Sequence, residues 1–359
     1  MSKYICQQVS KGLFFSTLII FFSFFLVLPG FGASEEGENK TDFIMHHVQD
    51  AHEWHFATIG HTHISIPLPV ILYEKGHGLH FFMSSDFVDE HHNKIEKDGF
   101  YFDDHGHLET RDESRVFYDI SITKNVASLF ISVILLFWVF LSVAKRYKQD
   151  PLKAPKGLQS VFEPIILFIR DDIARPNIGE KKYKKFMPYL LSVFFFIWFN
   201  NLLGLMPGAA NLTGNIAVTM TLALFTFVIT TFSGTKDYWQ HIFNTPGVPW
   251  WLKIPVPLMP LVEFIGMLTK PFSLMVRLFA NITAGHIIIM SLIALIFIFE
   301  SVYMGPISIL FGLFMNMVEL LVAFIQAFVF TLLSAIYFGL AVEEHEHEEH
   351  KEKLEEASA

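Results

Sequence analysis

Long apolar runs alternate with polar stretches along most of the chain. Three of these runs extend from Asn125 to Val143, from Phe186 to Leu205 and from Ile216 to Phe232. Two longer ones extend from about Leu261 to Glu300 and from about Pro306 to Leu340. Because roughly 20 apolar residues form a helix that crosses a hydrocarbon core about 30 Å thick, each run predicts a crossing. The pattern therefore predicts an all-α, polytopic membrane protein with about five crossings.

The last two apolar runs are too long to cross the bilayer upright. At about 1.5 Å per residue each would extend roughly 50 to 60 Å, nearly twice the hydrocarbon thickness. Only a few residues around Tyr303 to Gly305 join them, so we expect a long, steeply tilted C-terminal hairpin of antiparallel helices. Pro271 removes one backbone hydrogen bond and allows a kink in the first of the two helices.

Residues 1–34 have the pattern of a secretory signal peptide. Lys3 and Lys11 precede an apolar run, and small residues follow as far as Ser34. The alternative is a first membrane helix that is retained. In both cases we expect residue 35 to lie outside the cytoplasm. Lys145, Arg146 and further lysines follow the next apolar run, and the positive-inside rule places them in the cytoplasm.

Residues 35–120 form a separate external region that is rich in histidine. Alternating stretches such as HTHISIPLPVIL, residues 61–72, predict strands. The histidines are irregularly spaced and no cysteine joins them, so we expect a solvated segment, with metal binding as the alternative. These histidines are His46, His47, His52, His55, His61, His63, His77, His80, His91, His92, His105 and His107.

The polar segments around the crossings predict surface elements. Apolar residues at helical spacing beside charges predict an interfacial amphipathic helix from Val161 to Arg175 on the cytoplasmic surface. Residues 233–260 are rich in proline and tryptophan, which predicts a loop held at the headgroup level by Trp239, Trp250 and Trp251. Residues 343–359 predict an acidic, solvated cytoplasmic tail. The transmembrane domain would thus occupy residues 121–342.

Composition and charge indicate the class of protein and limit what can be inferred about its partners. The chain is 52% hydrophobic and contains 40 phenylalanines, more apolar surface than a soluble domain of this length can bury. The net charge of -9 is concentrated near the two ends, so we infer no nucleic-acid partner from it. Cys6 is the only cysteine and lies in the predicted signal peptide, which leaves no disulfide in the processed chain.

A line of polar residues runs along the first of the two long apolar segments. Glu263, Lys270 and Arg277 recur every seven positions, and Ser273 and Asn281 fall close to the same helical stripe. Arg277 is the informative residue, because an arginine deep in an apolar segment costs about 3 kcal/mol even on the mildest scales. A second charge or a polar path must therefore compensate it.

Arg277 remains protonated at physiological pH, so it cannot itself relay a proton. It can favour the ionisation of a carboxylate that comes near it and so release that group's proton. The alternative is a structural salt bridge within the chain, or a side chain that snorkels to the membrane surface. Ala280, Ala284 and Gly285 leave room for another helix to approach closely.

Three further polar residues, His286, Glu319 and Gln326, lie in otherwise apolar helical sequence. If the hairpin turns near Tyr303, His286 and Glu319 lie at matching distances from the turn and can meet. An imidazole and a desolvated carboxylate can pass protons near neutral pH. The alternative is that each is only a hydrogen-bonded core residue.

Several motifs resemble subunit a of F-type ATP synthases. These are KPFSLMVRLFANITAGH at residues 270–286, ELLVAFIQAFVFTLLSAIY at residues 319–337, and NLLGLMPG followed by TGNIAVTMTLAL. The resemblance covers roughly residues 125–342. It implies an external N-terminus, an interfacial helix, crossing helices and a tilted final hairpin against a rotating ring of c subunits.

The resemblance also implies roles for the polar residues. Arg277 matches the arginine that faces the c-subunit carboxylate and separates two aqueous half-channels. One set of residues matches the external half-channel: Asn281, His286, Glu319 and Gln326. Glu263 and Ser273 match the cytoplasmic half-channel, and Lys270 matches the pattern without a defined role. Many bacterial members carry the acid and the imidazole exchanged relative to His286 and Glu319; this arrangement is similar to mitochondrial versions.

The resulting hypothesis is a stator subunit in a bacterial inner membrane that couples proton flow to ATP synthesis. The implied partners are the c-subunit ring, b-type peripheral-stalk subunits, the other subunits of the complex and the lipid bilayer. We expect no cofactor, metal or catalytic residue, since the sequence has no phosphate-binding GxxxxGK[ST] loop. The alternative is a stand-alone ion or metal transporter that uses the His-rich region as a collector, although no internal repeat supports it. An intramembrane hydrolase would need a nucleophile with a base or an HExxH-type site, which the membrane segments lack.

Overall fold

The structure is a computed structural model that describes residues 50–59, 62–88, 95–103, 106–112, 115–149, 155, 157–206, 210–243, 258–299 and 304–343. Contacts divide the chain into two compact units. The first comprises Met1–Val133, Asn200–Leu212 and Ile282–Val322. The second comprises Ile134–Phe199, Thr213–Asn281 and Ala323–Ala359.

The N-terminal part of the first unit forms short antiparallel strands. They are β1 Glu53–Ile59, β2 Thr62–Pro67, β3 Pro69–Glu74, β4 Gly78–Met83, β5 Phe100–Phe102, β6 Leu108–Thr110 and β7 Phe117–Asp119. β1 pairs with β2, β5 pairs with β6, and β3 lies between β4 and β7. The strands predicted from the alternating stretch at residues 61–72 are therefore present as β2 and β3.

One face of the central sheet builds a small hydrophobic core. Alternate residues of β3 point inward, and Val70 and Leu72 pack with aromatic side chains of β4, β5 and the turn after β4. The core residues are Val70, Leu72, Phe82, Phe87, Phe100 and Leu108. Since alternate residues of a strand point to opposite faces, the inward set leaves a second set pointing outward.

The strand region is joined tightly to the first membrane helix, α1, Lys124–Gln149. The backbone N–H of Lys124 donates to the carbonyl of Ala51 at 2.8 Å, and that of Asn125 donates to Asp50 Oδ1 at 3.1 Å. Helix N-termini leave N–H groups without intrahelical partners, so Asp50 caps α1 from a segment 75 residues earlier. His52 and Asp119 add a contact of 3.0 Å beside this junction.

The rest of the described chain is helical. The helices after α1 are α2 Leu158–Phe168, α3 Arg175–Ile178, α4 Tyr183–Gly204, α5 Ile216–Ser233, α6 Lys236–Phe243, α7 Leu258–Phe299 and α8 Met304–Val342. Within the described residues, 5 helices are long and apolar enough to cross a membrane, namely α1, α4, α5, α7 and α8. The prediction of an all-α, polytopic membrane protein with about five crossings is confirmed for the membrane part, and the strands lie in the N-terminal region where the sequence predicts them.

The amphipathic segment at residues 161–175 is helical, as its spacing predicts. A π-helical segment, Ile169–Ala174, connects α2 to α3. Ile169 and Ile173 are buried, whereas Arg170 forms an ion pair of 2.8 Å with Asp171. The helix therefore has an apolar face and a charged face; its position at the membrane surface remains a prediction.

The prediction of a loop throughout residues 233–260 is wrong for α6. Thr235 Oγ1 accepts a hydrogen bond from the backbone N–H of Tyr238 at 3.3 Å, and Asp237 lies in the first turn. A threonine cap and an early acid both stabilise a helix start. Burial of Ile242 supplies the packing that a short helix requires.

The second unit holds the C-terminal end of α8 firmly. Lys182 Nζ donates to the carbonyl of Val342 at 2.8 Å. The backbone N–H of Thr235 donates to the carbonyl of Ala341 at 2.9 Å. Gly339 lies directly against the carbonyl oxygen of Asn177, so a Cβ at this position would overlap with backbone. The segments around α3 and α6 therefore fix where α8 ends.

Several predictions fall on residues outside the described ranges. They concern the signal peptide at residues 1–34, the membrane-surface tryptophans Trp250 and Trp251, the hairpin turn around Tyr303, and the acidic tail from residue 344. Pro271 lies within the described part of α7, and the helix continues through it.

Candidate functional site

The predicted polar line on α7 divides into an exposed stripe and a half-buried edge. Ser273, Arg277 and Asn281 are exposed and four residues apart, so they share one helical face. Ala280 and Ala284 lie on the same exposed face, while Leu274, Leu278 and Ile282 on the other side are buried. The exposed face thus presents small and polar side chains around a single cation.

The guanidinium of Arg277 makes no hydrogen bond and no ion pair with any residue that the structure describes. Every described acid lies beyond ion-pair distance from Arg277. This argues against the alternative of a structural salt bridge with a described residue. A bare cation in an apolar segment is unfavourable, so its counter-charge must come from outside the described part of this chain.

Arg277 and Gln326 line the same narrow cleft between α7 and α8 in the second unit. The other lining residues are apolar: Leu274, Leu278, Val329, Phe330 and Leu333. Gln326 itself is only 5% exposed. A buried amide and the charged side chain therefore line the same cleft.

Lys270 and Glu263, the other members of the heptad series, contact the protein itself. Lys270 Nζ lies 5.5 Å from the centroid of the Tyr337 ring on α8, a cation–π contact. Lys270 contacts Tyr337, and Arg277 lines a cleft with Gln326. The α8 residue number therefore rises as the α7 number falls, which is the order of an antiparallel hairpin. Glu263 lies near Tyr238 of α6; burial chiefly raises the pKa of this tyrosine, and the Glu263 charge adds to the effect.

His286 and Glu319 meet across the hairpin in the first unit. His286 Nδ1 lies 3.4 Å from Glu319 Oε1, and their side chains are 14% and 5% exposed. Glu319 Oε2 is buried and has no hydrogen-bond partner within the described residues. Glu319 therefore contacts the imidazole through Oε1, and its Oε2 has no protein partner within the described residues. A buried carboxylate oxygen of this kind normally binds water.

Gly285 makes this contact possible. A Cβ at residue 285 would lie 2.7 Å from Glu319 Oε1 and 3.2 Å from its Cδ. Both distances are shorter than ordinary packing allows, so a side chain at residue 285 would force the Glu319 carboxylate to shift. The small-residue pattern of the sequence therefore has a defined use here.

Two functional neighbours were not singled out by the sequence patterns. Tyr337, the partner of Lys270, lies eleven residues after Gln326, and Ser308 lies eleven residues before Glu319. Eleven residues are close to three full helical turns, so these positions share one face of α8. Ser308 Oγ is buried without a hydrogen-bond partner within the described residues. A search of α8 for polar residues at this spacing would have found both.

Two described histidines of the strand region each contact one acid. His52 Nε2 lies 3.0 Å from Asp119 Oδ2, and His80 Nε2 lies 3.2 Å from Glu74 Oε2. In the part of the chain that the structure describes, no group of three or more His, Cys, Asp or Glu side chains could hold a metal ion. Most of the other histidines lie outside that part.

Comparison with known proteins agrees with this architecture. The family model described as ATP synthase A chain matches residues 126–339, and a model described as a domain of unknown function matches residues 43–127. The chain is similar to ATP synthase subunit a of Chloroherpeton thalassium, with 46% identity over 64% of this chain and 69% of the relative. It is also similar to ATP synthase subunit a 2 of Chlorobaculum tepidum, with 47% identity over 70% of this chain and 71% of the relative. The alignment with ATP synthase subunit a 2 of Chlorobium luteolum is longer, with 40% identity over 86% of this chain and 78% of the relative.

The family model covers more than half of the chain, and the relatives are aligned over more than two thirds of their own lengths. These matches include the helices that carry Arg277, His286 and Glu319. The spanning helices and the bacterial relatives together place the protein in a bacterial inner membrane as a multi-pass component. This chain belongs to the subunit a family of F-type ATP synthases and is a stator component of the membrane sector of that complex.

Proposed function

We propose that this subunit forms the stationary proton path of the synthase and that Arg277 is its central charge. The observation that carries the proposal is an exposed arginine on a membrane helix without an ion-pair partner in the described chain. A mobile carboxylate on a rotating c-subunit ring would supply the missing counter-charge. The small residues Ala280 and Ala284 beside Arg277 allow a neighbouring helix to come close.

Arg277 would act on that carboxylate electrostatically. Opposite charges within a few ångströms favour the ionised form of the acid, so a ring carboxylate that reaches Arg277 releases its proton. The same positive charge disfavours a proton that moves straight between the two half-channels. Protons must then travel with the ring, and proton flow is coupled to rotation.

His286 and Glu319 would deliver protons to the ring from the external side. The imidazole and the carboxylate are 3.4 Å apart, and the second carboxylate oxygen is buried without a hydrogen-bond partner within the described residues. Such a pair can accept a proton from water and pass it on without a large change in structure. Asn281 and Gln326 are the other residues that we assign to the external half-channel.

Glu263 and Ser273 would line the cytoplasmic half-channel. Glu263 is half-buried near α6, and Ser273 lies one helical turn from Arg277 on the exposed stripe. Lys270 is held against Tyr337 and would shape the wall of this channel and not carry protons itself. The subunit would be non-catalytic, with nucleotide chemistry left to other subunits.

The proposed orientation places residues 35–120 outside the cytoplasm and the C-terminus inside. The basic residues at the end of α1, Arg146 and Lys148, support a cytoplasmic position for that end. The proposed direct partners are the c-subunit ring and b-type peripheral-stalk subunits.

Proton flux in sealed vesicles tests the proposal. Vesicles are prepared with this full chain alone, and with the chain assembled with its c-subunit ring, and an electrical potential is imposed. We expect flux only when the ring is present and free to turn. A stand-alone transporter would conduct in the first preparation, and that result would refute the stator mechanism.

A further inference from the structure

The central sheet of the strand region has an apolar outer face. Its inner face packs on the core described above, yet the outer face carries no charged residue on any of its three strands. The outer positions are Pro69, Ile71 and Tyr73 on β3, Leu79, Phe81 and Met83 on β4, and Tyr118 with Ile120 on β7 and its extension. Phe81 is 68% exposed and Ile120 is 59% exposed. An exposed apolar face of this size needs an apolar surrounding.

The outer face is continuous with a membrane helix. Pairing of β3 with β7 continues beyond Asp119, because the N–H of Ile120 donates to Ile71 at 2.9 Å and that of Ile122 to Pro69 at 3.1 Å. Helix α1 begins at Lys124, only two residues later. The end of the sheet that contains Pro69 and Met83 therefore lies where the chain enters the bilayer.

The polarity of the outer face changes along the strands. Residues paired across the strands form rows, and Pro69 with Met83 is the row nearest α1. Ile71, Phe81 and Ile120 form the middle row. The far row contains Leu79 and the stacked pair Tyr73 and Tyr118, whose ring centroids are 6.5 Å apart. Lys75 follows in the turn beyond it.

This order matches a bilayer boundary and not a protein-binding patch. A protein-binding patch typically has an apolar centre surrounded by a polar rim. Here the two wholly apolar rows lie on the side of the membrane helix, and the tyrosines lie at the opposite end of the face, before Lys75. Tyrosine is enriched at the membrane–water boundary, where its ring is apolar and its hydroxyl remains hydrated.

We propose that the outer face of the β4–β3–β7 sheet rests on the lipid bilayer, in the leaflet where α1 begins. The three rows extend about 14 Å along the strands, since each row is two residues of roughly 3.4 Å from the next. That length exceeds the headgroup layer of one leaflet, about 5 to 8 Å, so the rows near α1 contact acyl chains and the tyrosines contact headgroups. The contact fixes the orientation of the strand region on the membrane and goes beyond the proposed proton path.

Spin labels test this contact in the full chain reconstituted in liposomes. Cys6 is replaced by serine, and single cysteines are introduced as Met83→Cys, Phe81→Cys and Tyr118→Cys. Lys75→Cys, beyond the last row, and Glu109→Cys, on β6, serve as matched exposed controls. Electron paramagnetic resonance then measures collisions with oxygen, which concentrates in lipid, and with a water-soluble nickel chelate.

We expect the ratio of oxygen to nickel collisions to be several-fold higher at residues 83 and 81 than at the controls, with residue 118 between them. Higher nickel collisions at all three face positions would show a water-exposed face and overturn the proposal. Low collisions with both reagents in the chain alone would show that another part of the chain covers the face, which would also overturn the proposal. If collisions with the nickel chelate are frequent in the chain alone and become rare only in the complete synthase, a partner protein covers the outer face. That result would refute the lipid contact.

Discussion

Two arginines of this chain lie in opposite surroundings. Arg115 donates from Nε and Nη2 to both oxygens of Glu74 at 2.7 Å, and its guanidinium lies 4.6 Å from the centroid of the Phe100 ring. Arg277 has no hydrogen bond or ion pair within the described residues and lies on an exposed stripe. The first arginine is satisfied by its own chain, and the second is not.

The difference separates a structural charge from one available to a partner. A bidentate contact with a buried carboxylate uses the planar donor geometry of arginine, so the charge of Arg115 is already compensated within the chain. An arginine without a partner in a membrane helix is costly unless another component compensates it. The proposed function of Arg277 therefore depends on assembly, whereas the contacts of Arg115 depend only on local folding.

The largest expected effect follows the substitution Arg277→Ala in the reconstituted synthase. ATP synthesis driven by a proton gradient should fall to background while assembly remains intact, because no positive charge then releases protons from the ring. Arg277→Lys keeps a charge but not the planar donor geometry, and should restore little synthesis. Synthesis by purified, gradient-energised vesicles is the measurement.

Arg115→Ala is the matched control for that experiment. It removes an arginine of the same chain that we place outside the proton path, so coupled synthesis should persist while the strand region becomes more sensitive to protease. Retained synthesis in Arg277→Ala would contradict the proposed role of Arg277. Loss of synthesis in Arg115→Ala with the complex assembled would contradict the placement of Arg115 outside the proton path.

A smaller but clear effect is expected for the pair in the proposed external half-channel. Glu319→Gln should slow proton entry by about a hundredfold, in line with the loss of one positioned proton-transfer group. His286→Asn should slow it similarly, and the double variant should be no slower than either single one, because both groups serve one relay. Passive proton flux through the membrane sector measures the rate. Additive losses would show that the two groups act separately.

A several-fold effect is expected for Gly285→Ala. The added methyl group would displace the Glu319 carboxylate, and overpacking of this kind costs roughly 1 to 3 kcal/mol. Gly266→Ala on the same helix is the control, because a Cβ there meets nothing within 4 Å. Proton flux should fall in the first variant and remain unchanged in the second. Equal flux in both variants would mean that the position of Glu319 is not critical.

The smallest effect on synthesis, and the clearest one on local stability, is expected at Glu74. The hydrogen bonds from Arg115, working against burial, lower the pKa of Glu74 from 4.5 to about 2. Since the folded-state pKa is the lower one, the stabilisation is complete above pH 4.5 and is lost as the pH falls towards about 2. Glu74→Gln should remove this pH dependence.

Hydrogen exchange of the β3 and β7 backbone amides, measured between neutral pH and pH 3, checks this expectation. Burial opposes ionisation of Asp119, but hydrogen bonds from His52 and Ser121 lower its pKa. Asp119 therefore provides a second acid-sensitive contact in both the wild type and the Glu74→Gln variant. The difference between wild type and Glu74→Gln therefore isolates the Arg115 pair. Identical acid sensitivity would show that this pair does not hold the strand region together.

Much of the helical architecture could be predicted from the sequence. The predicted runs from Phe186 to Leu205 and from Ile216 to Phe232 agree with α4 and α5 to within a few residues. These elements depend on local periodicity and on the thickness of the bilayer, and both leave a direct trace in the order of residues. The short helix α6 was missed because prolines and tryptophans nearby outweighed the signals of Thr235 and Asp237.

The chemistry of the candidate site was visible only as residue types on helical faces. The sequence by itself determined that Arg277, His286 and Glu319 lie in apolar helices, and it limited how far each lies from the hairpin turn. Only the tertiary structure decided that Glu319 reaches His286 past Gly285, that Lys270 turns to Tyr337, and that Arg277 is left without a partner in the described chain. Helix formation depends on neighbours a few residues apart, whereas these contacts depend on the register and rotation of two helices. That register is fixed by packing over the whole hairpin, which no local pattern records.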